Sequence, residues 1–266
     1  MNMMLTIVIL TKNEAKRLPR CLKAIPVRYP VVVFDSGSED GTVEIAQKHG
    51  CMVYSQPWLG FAEQRNFALR NCNLEEGWVL FVDADEFYPL EFFTWFESKP
   101  TLLESIDVLM VPSWLVFCGQ RLKYAPGYPI YHPRLVRSGI TPFMVGHAGH
   151  SETVAPRIRV GYGDIPFDHH FFDGDIDAWM SKHISLARME VSQGRREGVL
   201  TSRARMSIFM GKSFLRIPGR FIYHYFLKGG FRDGWRGLLY SLIYTWYELT
   251  KYVMSQFQKQ ENNHEI

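Results

Sequence analysis

Four short apolar runs near the amino terminus, Leu5–Leu10, Val31–Phe34, Cys51–Tyr54 and Trp78–Val82, constrain the fold more than any other feature. Runs of this length without polar alternation suit strands buried on both faces of a parallel sheet. Parallel neighbours need crossover connections, and the intervening segments read as helices. Leu18, Leu22 and Ile25 fall at helical spacing around Pro19, which fits a first turn. Thr42–His49 is a second helix closed by Gly50, and Phe61–Arg70 is a third. The order β-α-β-α-β-α-β across residues 5–82 predicts a doubly wound α/β domain.

The regularity then stops. Residues 106–165 are rich in Pro, Gly, Tyr and Val, with strand-like pieces at Val108–Val111 and Arg134–Val136, and predict mixed sheet with long loops. Asp173–Gln193 predicts a helix capped by Asp173 or Asp175, with Ile176, Met180, Ile184, Ala187 and Val191 on one face. We divide the chain into residues 1–115, 116–172 and a helical, basic and aromatic 173–266.

Polar residues gather where the strands end. Thr11, Asn13 and Glu14 follow the first, Asp35 the second, and Asp83 and Asp85 the fourth. In open α/β sheets the ligand crevice lies outside those carboxyl ends. No Gly-x-Gly-x-x-Gly accompanies them, and Gly211-Lys212-Ser213 has Met206 where a phosphate loop needs glycine. Dinucleotide and P-loop chemistry are thereby disfavoured. Asp83-Ala84-Asp85 is the sharpest element. Two carboxylates at i and i+2 beyond a buried strand can face one hard cation, Mg2+ or Mn2+; a solvated turn with a helix cap is the plainer alternative.

Four segments, Thr11-Lys12-Asn13-Glu14-Ala15, Asp35-Ser36-Gly37-Ser38-Glu39-Asp40-Gly41-Thr42, Arg65-Asn66-Phe67-Ala68 and Phe81-Val82-Asp83-Ala84-Asp85-Glu86, stand in the order and spacing of family 2 glycosyltransferases. The chain resembles the bacterial subgroup that builds lipopolysaccharide core and other envelope glycans. Agreement runs over residues 4–90, loosens over 130–190 and fades beyond 195. The resemblance implies a GT-A fold, the mixed α/β sheet of nucleotide-diphospho-sugar transferases, and inverting transfer from a nucleotide-sugar. It puts Thr11, Asn13 and Glu14 on the donor side and Asp35 at the base, commonly uracil. Arg65 would lie near base or phosphates, Asp83 near the ribose, and Asp85 on the metal that bridges the diphosphate. Helix capping is the structural alternative for Glu14 and Asp40, and a surface cation for Arg65.

Inverting transfer needs a base opposite the leaving diphosphate. The candidate is Glu152, in Gly149-His150-Ser151-Glu152-Thr153. Relatives often carry a His-Glu pair here, so the intervening Ser151 leaves the position open between His150 and Glu152. His150 is otherwise a candidate contact for acceptor or phosphate. His169, or its neighbour His170, is a candidate second ligand of the metal, with a structural histidine as the alternative. Arg134 and Arg137 flank Leu135-Val136, similar to an Arg-Leu-x-Arg segment of relatives, and Arg134 is a candidate contact for acceptor or phosphate. A zinc site from His147, His150, His169 and His170 lacks a recognised spacing.

Charge places the partners. The net charge of +3 is only mildly basic and does not mark a nucleic-acid binder, and no nucleic acid is expected as partner, but Lys182–Lys251 holds 13 Lys/Arg against 4 Asp/Glu, interleaved with Phe, Tyr and Trp. Basic, aromatic segments of this kind suit the headgroups of an anionic bilayer. A core-packing helix and an RNA-binding arm are the alternatives, the second without a supporting motif. No uncharged run reaches the ~20 residues of a transmembrane helix. The four cysteines form no Cys-x-x-Cys pair, and the apolar start lacks a basic leader. The expectation is a cytoplasmic protein, peripheral on the inner membrane, that transfers a sugar from a UDP-sugar to a lipid-linked glycan. A sugar nucleotidyltransferase and a noncatalytic membrane-bound scaffold are the competing readings.

Overall fold

A computed structural model of the chain describes residues 4–72, 74, 76–145, 152–172, 174–193 and 214–264. The first apolar run forms β1 (Leu5–Thr11), buried along its whole length, and α1 (Leu18–Ala24) follows with Pro19 in its first turn. Next come β2 (Val31–Asp35), α2 (Thr42–Lys48), β3 (Met52–Ser55), α3 (Phe61–Asn71) and β4 (Trp78–Asp83). The strands lie in the order β3-β2-β1-β4, all parallel. Alternate side chains serve opposite faces, as the two-residue period of a strand requires. Ile7, Ile9, Val33, Leu80 and Val82 pack with Leu18 and Cys21 of α1, whereas Val8, Leu10, Val32, Phe34, Val79 and Phe81 pack with Ala62 and Ala68 of α3. Helices on both faces make this part doubly wound.

Beyond β4 the chain adds β5 (Glu86–Phe87), α4 (Leu90–Ser98), α5 (Pro100–Ser105), β6 (Val108–Phe117), β7 (Gln120–Arg121) and β8 (Ile130–Arg137). β9 (Phe143–Val145), β10 (Glu152–Val154), β11 (Val160–Tyr162) and β12 (Phe167–Phe172) complete the strands among the described residues. β8 pairs antiparallel with both β4 and β6, so the sheet becomes mixed and continues β4-β8-β6-β12-β5. The strand-like pieces expected at 108–111 and 134–136 are the inner parts of longer strands. Their outer parts are hard to read because prolines break the apolar pattern. Pro133 pairs with Met110 where the register shifts, and its missing N–H explains a local irregularity there.

Two compact units divide the chain: Met1–Trp114 with Pro129–Val145 and Glu152–Phe171, and Leu115–Tyr128 with Gly146–Ser151 and Phe172–Ile266. The second unit is helical. Asp175 caps α6 (Ile176–Gln193) by accepting the Ala178 N–H at 3.0 Å; Asp173, the other expected cap, lies outside the described residues. α7 (Arg216–Ile222) runs into a π-helical turn, Tyr223–Leu227, then a 3-10 turn, Gly230–Asp233, and α8 (Gly234–His264). The turn and α8 meet through glycine: a side chain at Gly237 would stand 1.9 Å from the Gly230 carbonyl oxygen. Asp233 accepts the backbone N–H groups of Lys123, Tyr124 and Ala125 at 3.0 Å each.

His224, in the π-helical turn, is 4% exposed against Tyr240 and Tyr244, and neither ring nitrogen has a hydrogen-bond partner among the described residues. Burial, then Arg220 and Lys228, push its pKa down to about 4, with Glu248 opposing. A histidine depressed in the folded state carries stability that is full above its unfolded pKa of about 6.5 and is lost as pH falls towards the folded value. Denaturant unfolding should therefore lose up to about 2 kcal/mol through this group between pH 6.5 and 5. His224→Phe, which keeps a ring in the cluster, should remove that share; an equal acid sensitivity in the variant would contradict the assignment.

Candidate active site

Register alone brings three of the expected residues to one edge. Thr11 is paired with Asp35 across β1 and β2, and Leu10 with Asp83 across β1 and β4. At ordinary strand spacing, Asp35 and Asp83 therefore lie about 10 Å apart on either side of β1. Thr11 and Asp35 are buried and face inward. Asp35 Oδ1 accepts from Thr11 Oγ1 at 2.8 Å and Ser38 Oγ at 2.5 Å, and Oδ2 accepts the N–H groups of Gly37 and Ser38 at 2.9 and 2.7 Å. The loops after β1 and β2 are stitched together by the same chemistry. Asn13, in left-handed backbone conformation at φ 57°, donates its N–H to Ser38 Oγ and accepts that of Glu39 on its side-chain oxygen. The Glu14 N–H goes to Thr42 Oγ1, and the Glu14 carboxylate pairs with Arg17 at 3.2 Å. Although burial opposes it, hydrogen bonds from Thr42 and the Ala15 N–H hold the Asp40 carboxyl below its usual range.

A second group is ionic and buried. Arg65, on α3, is 0% exposed, and Arg134, on β8, is 4% exposed. Arg134 donates to Glu86 through Nε at 3.1 Å and Nη2 at 2.7 Å, to Asp83 Oδ2 at 2.9 Å, and to Glu152 Oε1 at 2.6 Å. Arg65 donates to Asp83 Oδ1 at 3.0 Å and pairs with Glu152 Oε1 at 3.3 Å. Its guanidinium lies 5.8 and 5.9 Å from the ring centres of Phe81 and Phe143. Two guanidiniums face three carboxylates, which leaves one negative charge in excess. The strain falls on Glu86: burial pushes its pKa up to about 8, against Arg134 and with Asp83 and Asp85 adding to the rise. Burial works against the Arg134 charge, but Glu86, Asp83 and Glu152 outweigh it and raise its pKa well above the usual value.

The third group is a carboxylate beside an imidazole. His169 sits opposite Glu86 in the antiparallel β12–β5 ladder, and its Nε2 is 3.8 Å from Asp85 Oδ2. Asp85 and His169 keep 15% and 26% of their side chains exposed. An oxygen and a nitrogen donor at this separation fit one Mg2+ or Mn2+ whose other positions are taken by phosphate oxygens and water. Among the described residues no three His, Cys, Asp or Glu side chains gather into a complete metal cage. His170 approaches Arg20 at 3.4 Å, and Arg20 lies over Phe87.

Thr11, Asn13, Glu14 and Asp35 thus form one braced loop pair, Arg65, Asp83, Arg134 and Glu152 one buried ion cluster, and Asp85 and His169 a separate pair. His150 lies outside the described residues. Sequence reasoning missed Glu86, the main partner of Arg134, and His132. The signal for Glu86 was present: an arginine between Pro133 and Leu135 in a buried strand needs a buried carboxylate. His132 accompanies Ser113 Oγ at 3.1 Å, and burial, then Arg134, press its pKa well below the usual range, keeping it neutral. No pattern in the sequence announced it.

The described geometry agrees with the sequence comparisons. The model of the family "Glycosyl transferase family 2" matches residues 6–94. A lipopolysaccharide core biosynthesis glycosyltransferase, LpsC, of Rhizobium meliloti is 27% identical over 252 residues, which cover 90% of this chain and 86% of that protein. An uncharacterized glycosyltransferase of Rickettsia conorii is 44% identical over 79 residues, 29% of this chain, and the match spans only 27% of that relative's length. Among solved structures, a mannosyltransferase of Pyrobaculum calidifontis in complex with GDP-Man and Mn2+ shares the fold, with a TM-score of 0.55 at 15% identity over 97% of this chain and 88% of that one. Residues 6–94 thus match the model of glycosyltransferase family 2, and the chain shares the mixed α/β fold of the GT-A type with the Pyrobaculum calidifontis mannosyltransferase.

Proposed function

We propose that the protein is an inverting glycosyltransferase that moves a sugar from a UDP-sugar to a hydroxyl of a lipid-linked glycan, such as lipopolysaccharide core. The observation that carries this reading is the convergence of Asp83, Asp85 and Glu152 on one edge of the sheet, joined through Arg65, Arg134 and the β12–β5 ladder. Asp85 and His169 would hold the divalent cation, which when bound stabilises charge on the leaving diphosphate. The braced loops carrying Thr11, Asn13, Glu14 and Asp35 would form the nucleoside side of the crevice. Glu152 would take the acceptor proton. The likeness to LpsC along most of both chains supports a lipopolysaccharide-type acceptor.

Membrane docking forms part of the proposal, with the second unit as its surface. Between residues 214 and 247 the only acidic residue is Asp233, and it is buried. Ile222, Phe226, Leu227 and Phe231 are 48–75% exposed, and Trp235, Leu238, Leu239, Leu242, Leu249, Val253 and Phe257 form an exposed stripe at helical spacing along α8. Among the described residues no helix is long and apolar enough to cross a membrane. Several basic side chains of this unit are already engaged: Arg216, Arg220 and Lys251 pair with Glu248, and Lys251 also with Glu190. Apolar insertion therefore outweighs charge attraction here, and docking should be more sensitive to detergent than to salt.

The donor is tested by thermal shift with a panel of UDP- and GDP-sugars, where a ligand at 100 times its Kd stabilises by about 2.7 kcal/mol. Wild-type protein should release nucleoside diphosphate in a Mn2+-dependent way, and Asp85→Ala should lower that release by about 10²-fold or more while the fold survives. Pyrophosphate release from a nucleoside triphosphate and a sugar phosphate would favour a nucleotidyltransferase, and binding without turnover a scaffold.

Docking is tested by cosedimentation with phosphatidylglycerol-containing vesicles. The double variant Phe226→Glu, Leu227→Glu changes side chains 58% and 75% exposed and should abolish vesicle binding without altering UDP binding. Wild-type protein that stays in the supernatant at low salt would remove the membrane from the proposal.

A further inference from the structure

The resemblance suggests Arg65 and Arg134 as candidate contacts for donor, acceptor or phosphate, and in the structure both guanidiniums are engaged by protein carboxylates. Arg134 spends every nitrogen on Glu86, Asp83 and Glu152, and Arg65 spans Asp83 and Glu152. The two arginines meet at a single atom. Glu152 Oε1 lies 2.6 Å from one Arg134 nitrogen and 3.3 Å from one Arg65 nitrogen, while neither guanidinium is paired with Oε2. Glu152 is only 9% exposed, and its strand, β10, pairs with β9 alone, through three residues. So short a ladder fixes the backbone of Glu152 weakly, and the side chain is held instead by two cations rooted in α3 and the central strand β8. The same cations hold Asp83 on β4.

We propose that Arg134, assisted by Arg65, is a positioning residue that clamps Glu152 Oε1 beside Asp83 and so aims Oε2 at the acceptor hydroxyl. The inference rests on the reading of Glu152 as the base. In the transfer, Oε2 takes the hydroxyl proton as the hydroxyl oxygen bonds to the anomeric carbon. The bond from that carbon to the diphosphate oxygen breaks, and its electron pair leaves with the nucleoside diphosphate. The clamp serves this step by geometry: it fixes one oxygen so that the other has a single direction. Asp83 keeps its hydrogen bonds from Arg65 when Arg134 is shortened, whereas Glu152 loses its 2.6 Å partner, so the base is disturbed and the donor-side carboxylate stays held.

The experiment is a double-mutant cycle on nucleoside diphosphate release, using the UDP- or GDP-sugar that wild-type protein turns over fastest. Glu152→Gln, Arg134→Lys, Arg134→Gln and each combination with Glu152→Gln are compared, with donor Kd measured by calorimetry and folding by circular dichroism. Arg134→Lys keeps a buried positive charge and so guards against a misfolded Arg134→Gln. Expected are a loss in kcat of about 10²-fold for Arg134→Lys, a donor Kd within about threefold of wild type, and little further loss once Glu152 is already Gln. Independent, multiplying losses in the Glu152→Gln background would overturn the clamp, as would a donor Kd that worsens in step with kcat, which is the signature of a direct phosphate contact. Wild-type turnover by Glu152→Gln would remove the base assignment itself. An impaired Glu152→Gln beside an unimpaired Arg134→Lys and Arg134→Gln would remove only the clamp.

Discussion

Two buried arginines would each cost several kcal/mol in lost hydration if left alone. Here Arg65 and Arg134 are tolerated because Asp83, Glu86 and Glu152 surround them. These carboxylates come from the end of β4, which is paired on both sides, and from the two-residue strand β5 and the three-residue strand β10. The ionic cluster therefore does more than fill space. It ties the two short strands to α3, β4 and β8, and a residue lost from it leaves an uncompensated charge in a dry place. Replacing a partner there should be felt as much in the position of the others as in stability.

Around the cluster, sheet topology does the placing. Parallel strands β2, β1 and β4 end together and deliver Asp35, Thr11 and Asp83 to one edge. Reversal of direction at β8 returns the chain to that edge with Arg134, and β12 arrives from far along the sequence to set His169 beside Asp85. The loops after β1 and β2 are joined by side-chain hydrogen bonds to backbone N–H groups, so their shape is fixed before any ligand arrives. A crevice of this kind avoids much of the ordering cost of binding.

Much of the amino-terminal half could be read from the chain. Apolar runs ending in Thr11, Asp35 and Asp83 carry both the strand and its terminus in one pattern, and the boundaries found lie within a residue of those expected. The later strands resisted reading because their signals are local exceptions: Pro112 and Pro133 interrupt β6 and β8, and β5 is too short to show a period. Charges misled in a different way. Arg65, Arg216 and Arg220 look like free cations in sequence, where a partner 18 to 32 residues away is invisible. A strand-borne arginine flanked by Pro133, Leu135 and Val136 is the exception, since burial on that scale demands a counterion.

The β12–β5 ladder is only two residue pairs long, Asp168 with Phe87 and His169 with Glu86. In a strand successive side chains point to opposite faces, so a slip of one residue would turn the imidazole away from Asp85 altogether. β12 is held on its other side by β6, and the His170 N–H reaches the Asp85 carbonyl at 2.8 Å, so the pairing of nitrogen and oxygen donors depends on backbone register. A cation shared by the two side chains would act as an additional rung, tying a segment near residue 85 to one near residue 169.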